Sequence, residues 1–550
     1  MTPAGDDLDT VYSYHEATKH HPARYARSLG YLDWATQPDP FLRLAGAPLV
    51  PLPAPADRSD PAWDQVPAGG LSPAPLDAAT VSRLLWTSLA LSAWKQVDGP
   101  DGQILSRWSL RVNPSSGNLH PTEGWLACGP DAGLADTPAL WHYRPDAHAL
   151  ERCRDLDAAA WAEALGPGRI LVALSSVVWR EAWKYGERAF RYCCHDTGHA
   201  LAAVDLAAAA LGWSARLLDN LDDGDLGRFL GCDRREGPEQ DHPDALVLID
   251  TTGSIDDVSI ERLDGLSGGA GAAAAWHGVA EPLSPSHQAW PVLDQVRAAV
   301  RWPGRDWPPR GTTEAAAKNH NPLRPSRFTP LVRARRSAVA MDGRTPLPAV
   351  AFHRLLARLL PERSPRPFGL LPWPPAVSLV LFVHRVEDLA PGLYLLARDP
   401  SHIEDLRAAL RPESAWEPVA GAPADLPLFR LGAGDLRSVA RDLSCHQDIA
   451  AAGAFAVAML ARFDATLADA GPGFYPRLFW ETGAIGQMLY LEADAAGLQG
   501  TGIGCFFDDE VHRLLGLSGT PWQSLYHFTV GGAVHDSRIR TEPAYPHLPG

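Results

Sequence analysis

No Cys-x-x-Cys pair and no Cys/His cluster at zinc-finger spacing occurs in the chain; its seven cysteines, at 128, 153, 193, 194, 232, 445 and 505, are scattered and odd in number. Such a set predicts reduced thiols, not a disulfide framework or a structural zinc site. Long apolar runs are missing too. No window holds 18 uninterrupted apolar residues, and the opening stretch, with Asp6, Asp7, His15, Glu16, Lys19, His20 and His21, lacks the core of a signal peptide. Neither a spanning helix nor a secretory leader is expected, and the expected location is the cytoplasm. Basic charge is scarce: 49 Lys and Arg stand against 65 Asp and Glu, a net charge of −16. Phosphate polymers are bound largely by Lys and Arg releasing counterions, so a nucleic acid is excluded as the main partner. A local basic pocket for one small phosphate is compatible with this balance.

The 550 residues are 46% hydrophobic and 21% charged, enough for ordinary cores and for two to four domains of roughly 100 to 200 residues each. With 50 prolines and 48 glycines, many loops and connecting arms are expected. Residues 1–75 are rich in Tyr, Trp, His and Pro and read as an arm, extended over Leu49 to Ala56. A helical period runs from Leu76 to Ser92, while Ile170 to Leu174 and Ala245 to Ile249 read as strands. Residues 76–255 therefore form a mixed α and β domain. Between 256 and 325 lies Gly-, Pro- and Trp-rich sequence broken by one helix, Ser286 to Trp302, which reads as an inter-domain crossing. Residues 326–550 form the second domain.

Sliding the chain over itself by 285 residues exposes an internal repeat. Asp196-Thr197-Gly198 falls on Glu481-Thr482-Gly483, Gly212 on Gly497, Asp223 on Asp508, Arg228 on Arg513, and Leu230-Gly231 on Leu515-Gly516. Each half then runs from a long apolar helix ending at Gly, through a turn, Asp, a short helix and Leu-Gly, to an apolar strand.

Four clusters carry candidate chemistry. Arg335-Arg336-Ser337 offers guanidinium groups and a hydroxyl for a monophosphate, with Arg538 and Arg540 as a second basic pair; a solvated basic segment is the plain alternative. Pro114-Ser115-Ser116-Gly117-Asn118 is a rigid turn whose hydroxyls, backbone and amide suit a planar polar heterocycle, or simply a capped loop. Gly500-Thr501-Gly502-Ile503-Gly504-Cys505 allows close backbone approach to a flat ligand, but lacks the strand-before, helix-after context of a Rossmann phosphate loop. Lys184-Tyr185-Gly186-Glu187-Arg188, with Arg191 and Tyr192, crowds ionisable groups capable of proton handling. Surface helix charges, with Glu187 paired to Arg191 one turn on, explain that cluster equally well.

Taken in order with Tyr14 to Lys19 and Gly198-His199, these pieces resemble the nitroreductase superfamily of FMN enzymes, specifically its SagB-type or ThcOx-like branch of peptide-modifying dehydrogenases. The resemblance implies an α+β fold, a central antiparallel sheet flanked by long helices, with FMN at a two-fold interface. It implies two tandem domains forming an intramolecular pseudo-dimer. The first half has Pro114 to Asn118 but no Arg-Arg-Ser, and Asp219-Asn220 stand where the repeat places Gly504-Cys505; one working FMN site and one decayed site are expected. In that reading Arg335, Arg336, Ser337, Arg538 and Arg540 hold the phosphate. Pro114, Ser115, Ser116 and Asn118 border the isoalloxazine, Gly504 and Cys505 face N5 through their backbone, and Gln447 reaches the flavin. Lys184 and Tyr185 look like the Lys-Tyr pair of azoline dehydrogenases. Val339 departs from the pattern, since the family often has Arg or Lys there. The implied reaction is dehydrogenation of a peptide-derived or small heterocyclic substrate with hydride passing to flavin N5 and oxygen reoxidising the flavin. Alternatives are an NAD(P)H-dependent nitro- or quinone reductase, and a non-catalytic flavin- or peptide-binding partner of a modifying complex. A fused pseudo-dimer does not need to self-associate, and the oligomeric state is open.

Overall fold

The computed structural model describes residues 3–55, 60–253, 255, 260, 263, 265–267, 275–308 and 325–548. Parts of the expected crossing, including most of Gly265 to Ala275, lie outside the described residues. Two seven-stranded sheets dominate. The first contains β1 (Leu49–Pro51), β2 (Thr122–Cys128), β3 (Ala139–Arg144), β4 (Ala149–Asp155), β5 (Arg169–Val177), β6 (Ser214–Leu217) and β7 (Asp241–Asp250), in the order β1-β4-β3-β2-β5-β7-β6. The second contains β8 (Val377–Val383), β9 (Gly392–Leu396), β10 (Glu417–Pro418), β11 (Leu428–Ala433), β12 (Phe455–Arg462), β13 (Gln499–Ile503) and β14 (Trp522–Gly531), in the order β10-β11-β9-β8-β12-β14-β13. Every neighbouring pair in both sheets is antiparallel. Six strands recur in the same order in both sheets, while the edge strands β1 and β10 differ, β1 preceding the rest of its sheet and β10 lying between β9 and β11 in sequence; the fold class is α+β.

Central strands read as unbroken apolar runs because both faces are covered. Successive side chains of a strand point to opposite faces. Leu126, Val172, Leu174 and Val247 thus enter one large core shared with the second sheet's Leu379, Leu381, Val457 and Met459. Their neighbours Trp125, Leu171, Ala173 and Leu246 pack outward against Trp161 and Phe229, and Val380, Phe382, Ala456 and Ala458 do the same on the second sheet against Val511 and Leu515. The sheets face one another across a shared helical layer.

The helices that matter for the site are α1 (Pro3–Ala17), α2 (Val178–Tyr185), α3 (Ala189–Ala210), α4 (Asp223–Leu230), α5 (Pro291–Ala299), α6 (Phe463–Ala470), α7 (Tyr475–Ala495) and α8 (Asp508–Leu515). Under the 285-residue shift α2 superposes on α6 and α4 on α8, end to end, and α3 and α7 stop at equivalent residues. Gly231 and Gly516, at φ 73° and 79°, end α4 and α8 in the left-handed conformation that glycine adopts without penalty. The long helices α3 and α7 cross each other at repeat-equivalent glycines. A Cβ on Gly198 would stand 2.7 Å from Trp480 Cα, and one on Gly483 would stand 2.9 Å from Gly198 Cα and against the His195 carbonyl. Trp480 is the repeat equivalent of His195, so each half presents the same patch to the other, as at an isologous two-fold interface.

Both halves send an arm across this interface. On α1, Tyr12 donates to Asp464 (2.8 Å), and beyond it the His20 N–H donates to Asp508 (3.0 Å). His15 bridges Tyr475 and Gln523 at 3.1 and 3.2 Å. On the other arm, Arg297 of α5 bonds His242, and the Trp302 N–H donates to Asp223 (2.8 Å). Asp223 is the repeat equivalent of Asp508, so the segment read from sequence as a simple crossing is, over Pro291 to Trp307, the counterpart of the N-terminal arm.

Three boundaries differ from expectation. The helix expected over Leu76 to Ser92 stops at Trp86, because Leu91–Asp98 pairs as a strand with Ile104–Arg111 and with Ile539–Glu542 from the end of the chain. The helix expected over Ser286 to Trp302 is trimmed to α5, since Pro291 opens it and Trp302 is drawn off to Asp219 and Asp223. The glycine-rich segment expected as a turn is mostly strand: Gly500 and Gly502 belong to β13, where their missing side chains leave room for the Phe528 and Tyr526 rings.

Candidate functional site

A cavity of about 860 Å³ opens between the halves, lined by the Pro114 to Asn118 turn of the first half and by Arg335, Arg336, Ser337, Thr501, Gly502, Gly504 and Cys505 of the second. Tyr185, Tyr192, Asp196 and His199 from α2 and α3, with Gln447, Tyr490 and Tyr526, complete its wall.

The turn is held rigidly. Ser115 Oγ accepts the His120 N–H at 2.8 Å, and Asn118, itself left-handed at φ 60°, donates to the Ser109 carbonyl at 2.7 Å. Gly117 has φ 56°, and a Cβ there would collide with the Tyr185 hydroxyl and lie 3.1 Å from Lys184 Nζ. Asp196 anchors the turn from below, accepting the Ser116 N–H at 3.0 and 3.1 Å and the Ser116 hydroxyl at 3.0 Å. Burial pushes the Asp196 carboxyl up to about 7, against the hydrogen bonds from Ser115 and Ser116. Its neighbour Glu181 is fully buried with no hydrogen-bond partner on either oxygen, and burial raises it well above the carboxylate range.

Asp196 binds its proton more tightly folded than unfolded. Its contribution to stability is therefore present at low pH and lost as pH rises through about 7. Asp196→Asn removes that dependence, so the melting temperature of the variant relative to the parent is expected to rise between about pH 5 and about pH 8. Thermal unfolding across that range checks it, and a constant difference would contradict the buried-acid assignment.

Arg335 reaches across the interface. Its Nε and Nη2 donate to the carbonyls of Val112 and Arg111, both at 3.0 Å, while Nη1 is buried with no partner. Arg336 donates to Ser92 Oγ at 3.2 Å, and burial beside Arg335 and Arg333 pushes it down to about 10. The Tyr490 hydroxyl receives the Gly502 N–H (2.9 Å) and pairs with Ser337 Oγ at 2.8 Å; if Tyr490 donates to Ser337, the serine hydrogen is left for a ligand. Gln447 donates to the Cys505 carbonyl at 3.0 Å.

Three expected residues, Arg538, Arg540 and Lys184, are not part of this wall. Arg538 is exposed and paired with Asp536, and Arg540 pairs with Asp98 and Glu542 at the surface. Strand Ile539–Glu542 pairs with Leu91–Asp98 and turns these side chains to solvent, so neither reaches the Arg335 cluster. Lys184 lies behind the wall, its Nζ 5.2 Å from the centre of the Tyr185 ring. Glu187 pairs with Arg27, not Arg191; Arg188 and Arg191 converge on Asp508 at 3.1 and 2.8 Å. Sequence reasoning gave no site role to Asp196, Tyr490 or Tyr526, and quoted Tyr192 and His199 without placing them at the cavity. The signal for Asp196 was present, an acid repeated as Glu481 at the middle of two largely apolar helices. Glu481 plays the matching part, accepting the backbone N–H of Ala376 at 3.0 Å and pairing with Arg398.

The repeat-related position is filled. Asp219, equivalent to Gly504, takes Nε and Nη2 of Arg477 at 2.8 and 2.6 Å and Trp307 Nε1 at 2.7 Å. Trp302 stacks on the same guanidinium at 3.7 Å, and Trp373 packs beside Trp307 and Trp480.

Residues 332–532 match the family model described as Nitroreductase family, and this part of the chain is a nitroreductase family domain. Among solved structures, the chain is similar over 96% of its own length and 99% of the other's to a protein from Anabaena variabilis assigned as a nitroreductase, with 22% identity and a TM-score of 0.67. That likeness is one of fold. Smaller overlaps occur with a Ralstonia eutropha protein also assigned as a nitroreductase (17% identity, 40% of this chain, 97% of that one, TM-score 0.28) and with the E. coli microcin synthetase McbBCD complex with truncated pro-MccB17 bound (17%, 46%, 94%, TM-score 0.26). No curated protein matches. Among the described residues no helix is long and apolar enough to cross a membrane.

Proposed function

We propose that the chain is an FMN-dependent oxidoreductase built from two fused nitroreductase-like domains, with one flavin site per chain and a SagB/ThcOx-type dehydrogenase activity on a peptide-derived or azoline-like heterocycle. The supporting observation is the cavity between the halves, to which one half brings the Pro-Ser turn and the other the Arg-Ser cluster and the end of β13. The residues present fit the cofactor. Arg335 holds an orphaned N–H for a phosphate oxygen, Arg336 and Ser337 add a second guanidinium and a hydroxyl, and Gly502 to Cys505 present backbone with little side chain in the way. When bound, FMN supplies the two-electron redox chemistry. The chain supplies position and proton handling. Tyr185, raised well above its ordinary range by burial and by Glu181, remains a neutral donor at the cavity wall with Lys184 behind it. Asp196 stands near neutrality as a second proton site.

The absorption spectrum of purified protein is the direct test, with an expected FMN-to-chain ratio close to one. A ratio near two would contradict the filling of the second position by Arg477 and Asp219, and colourless protein after FMN is supplied would refute the flavin assignment. Rapid bleaching by NAD(P)H would favour a nitro- or quinone reductase. Arg335→Ala is expected to weaken FMN binding about tenfold to a hundredfold, the equivalent of one charge-assisted hydrogen bond of about 1.5–3 kcal/mol, measured by fluorescence titration.

A further inference from the structure

We propose that Cys445 and Cys505 are a reversible dithiol–disulfide couple beside the cavity, oxidised by a hydroperoxide. Cys505 follows β13 and lines the cavity; Cys445 and His446, both left-handed at φ 51° and 59°, turn the opposite loop toward it. Gln447 ties the two loops together, donating to the Ser444 carbonyl at 2.8 Å and to the Cys505 carbonyl at 3.0 Å. The Phe507 N–H donates to the Leu443 carbonyl at 2.8 Å, so residues 443–447 and 505–507 run side by side with Cys445 opposite Cys505, and His20 of the N-terminal arm bridges Phe507 beside them. Because His20 Nδ1 accepts the Ala26 N–H at 2.9 Å, the hydrogen of the neutral ring sits on Nε2 and is free to be donated.

Charge balance points the same way. Arg188 and Arg191, both buried, share the single buried carboxylate of Asp508, and Arg188 Nη2 also reaches the Gly504 carbonyl at 3.1 Å. One positive charge is left over, and a Cys505 thiolate neutralises it. Consistently, the hydrogen bond from Cys445, then His20 and Arg188, bring Cys505 down to about 5 against its partial burial, whereas burial pushes Cys128 up to about 12.

The thiolate of Cys505 attacks the terminal oxygen of the hydroperoxide. The O–O bond breaks, a sulfenic acid forms, and the departing alkoxide takes a proton and leaves as alcohol or water. Cys445 sulfur then attacks Cys505 sulfur; the S–S bond forms, the S–O bond breaks, and hydroxide leaves with the Cys445 proton as water. Two electrons pass from the sulfurs to the peroxide.

The test treats the full-length protein, with and without FMN, with hydrogen peroxide, then alkylates and maps peptides by mass spectrometry. The expected result is a Cys445–Cys505 cross-linked peptide that is restored to two alkylated thiols by dithiothreitol. Cys445→Ser should stop at a sulfenic acid on Cys505 trapped by dimedone, and Cys505→Ser should leave Cys445 alkylatable, with circular dichroism confirming that both variants are folded. Two fully alkylatable thiols after peroxide, or overoxidation of Cys505 in the parent without cross-linking, would overturn the proposal. Because the readout is covalent and does not need bound flavin, failure here leaves the flavin reading intact, and the reverse holds.

Discussion

Tyr185→Phe is expected to keep the flavin in place and to slow its reduction by an azoline-containing substrate about a hundredfold or more, the scale on which a positioned proton donor acts. The substitution removes one oxygen and almost no volume, so the contact with the Tyr192 ring, 4.5 Å between centroids, survives. What is lost is the hydroxyl beside Gly117, at the point where the turn of the first half is pressed against α2. Lys184→Ala should act in the same direction while also leaving FMN bound. Stopped-flow reduction of the flavin, with the FMN ratio measured on the same sample, separates the effects. Unchanged reduction rates in Tyr185→Phe would remove this residue from the chemistry.

The second large effect is structural. Gly198→Val forces a branched side chain into the Trp480 backbone at the crossing of α3 and α7. A helix carbonyl cannot rotate aside, so the two helices must part, and both halves share the core that those helices fill. Overpacking commonly costs about 1–3 kcal/mol and occasionally more; here about 3 kcal/mol or more is expected, read as a lower urea midpoint with the m-value unchanged. Gly483→Val, its repeat mate, should cost a similar amount. A neutral result at either position would mean that the crossing is not as close as the glycines imply.

Much of this could be read from sequence, for identifiable reasons. The internal repeat was visible because turn glycines such as Gly231 and Gly516, and the acids that open α4 and α8, Asp223 and Asp508, recur at one spacing. Arg335, Ser337 and the Pro114 turn were visible as local clusters of unusual chemistry. Tyr490 and Tyr526 were not, since a lone aromatic in an apolar helix or strand looks like core until its hydroxyl is seen to face a cavity. The placing of Arg538 and Arg540 failed for the opposite reason. Sequence proximity to the last strand of the second sheet suggested the site, but a short strand that joins a hairpin of the other half carries them away. Nor was the kinship of the two arms legible. His20 and Trp302 each donate a backbone N–H to the matching acid, Asp508 and Asp223, without sharing side-chain chemistry.

A homodimer inherits each substitution twice, once on either side of its axis, so neither of its pockets can be given up alone. Joining the copies end to end lifts that constraint. In the fused arrangement we propose, the Arg477–Asp219 pair and the indoles around it fill the position that matches Gly504; that pocket would then serve to fasten the two lobes to each other, and its sister alone would face selection for chemistry.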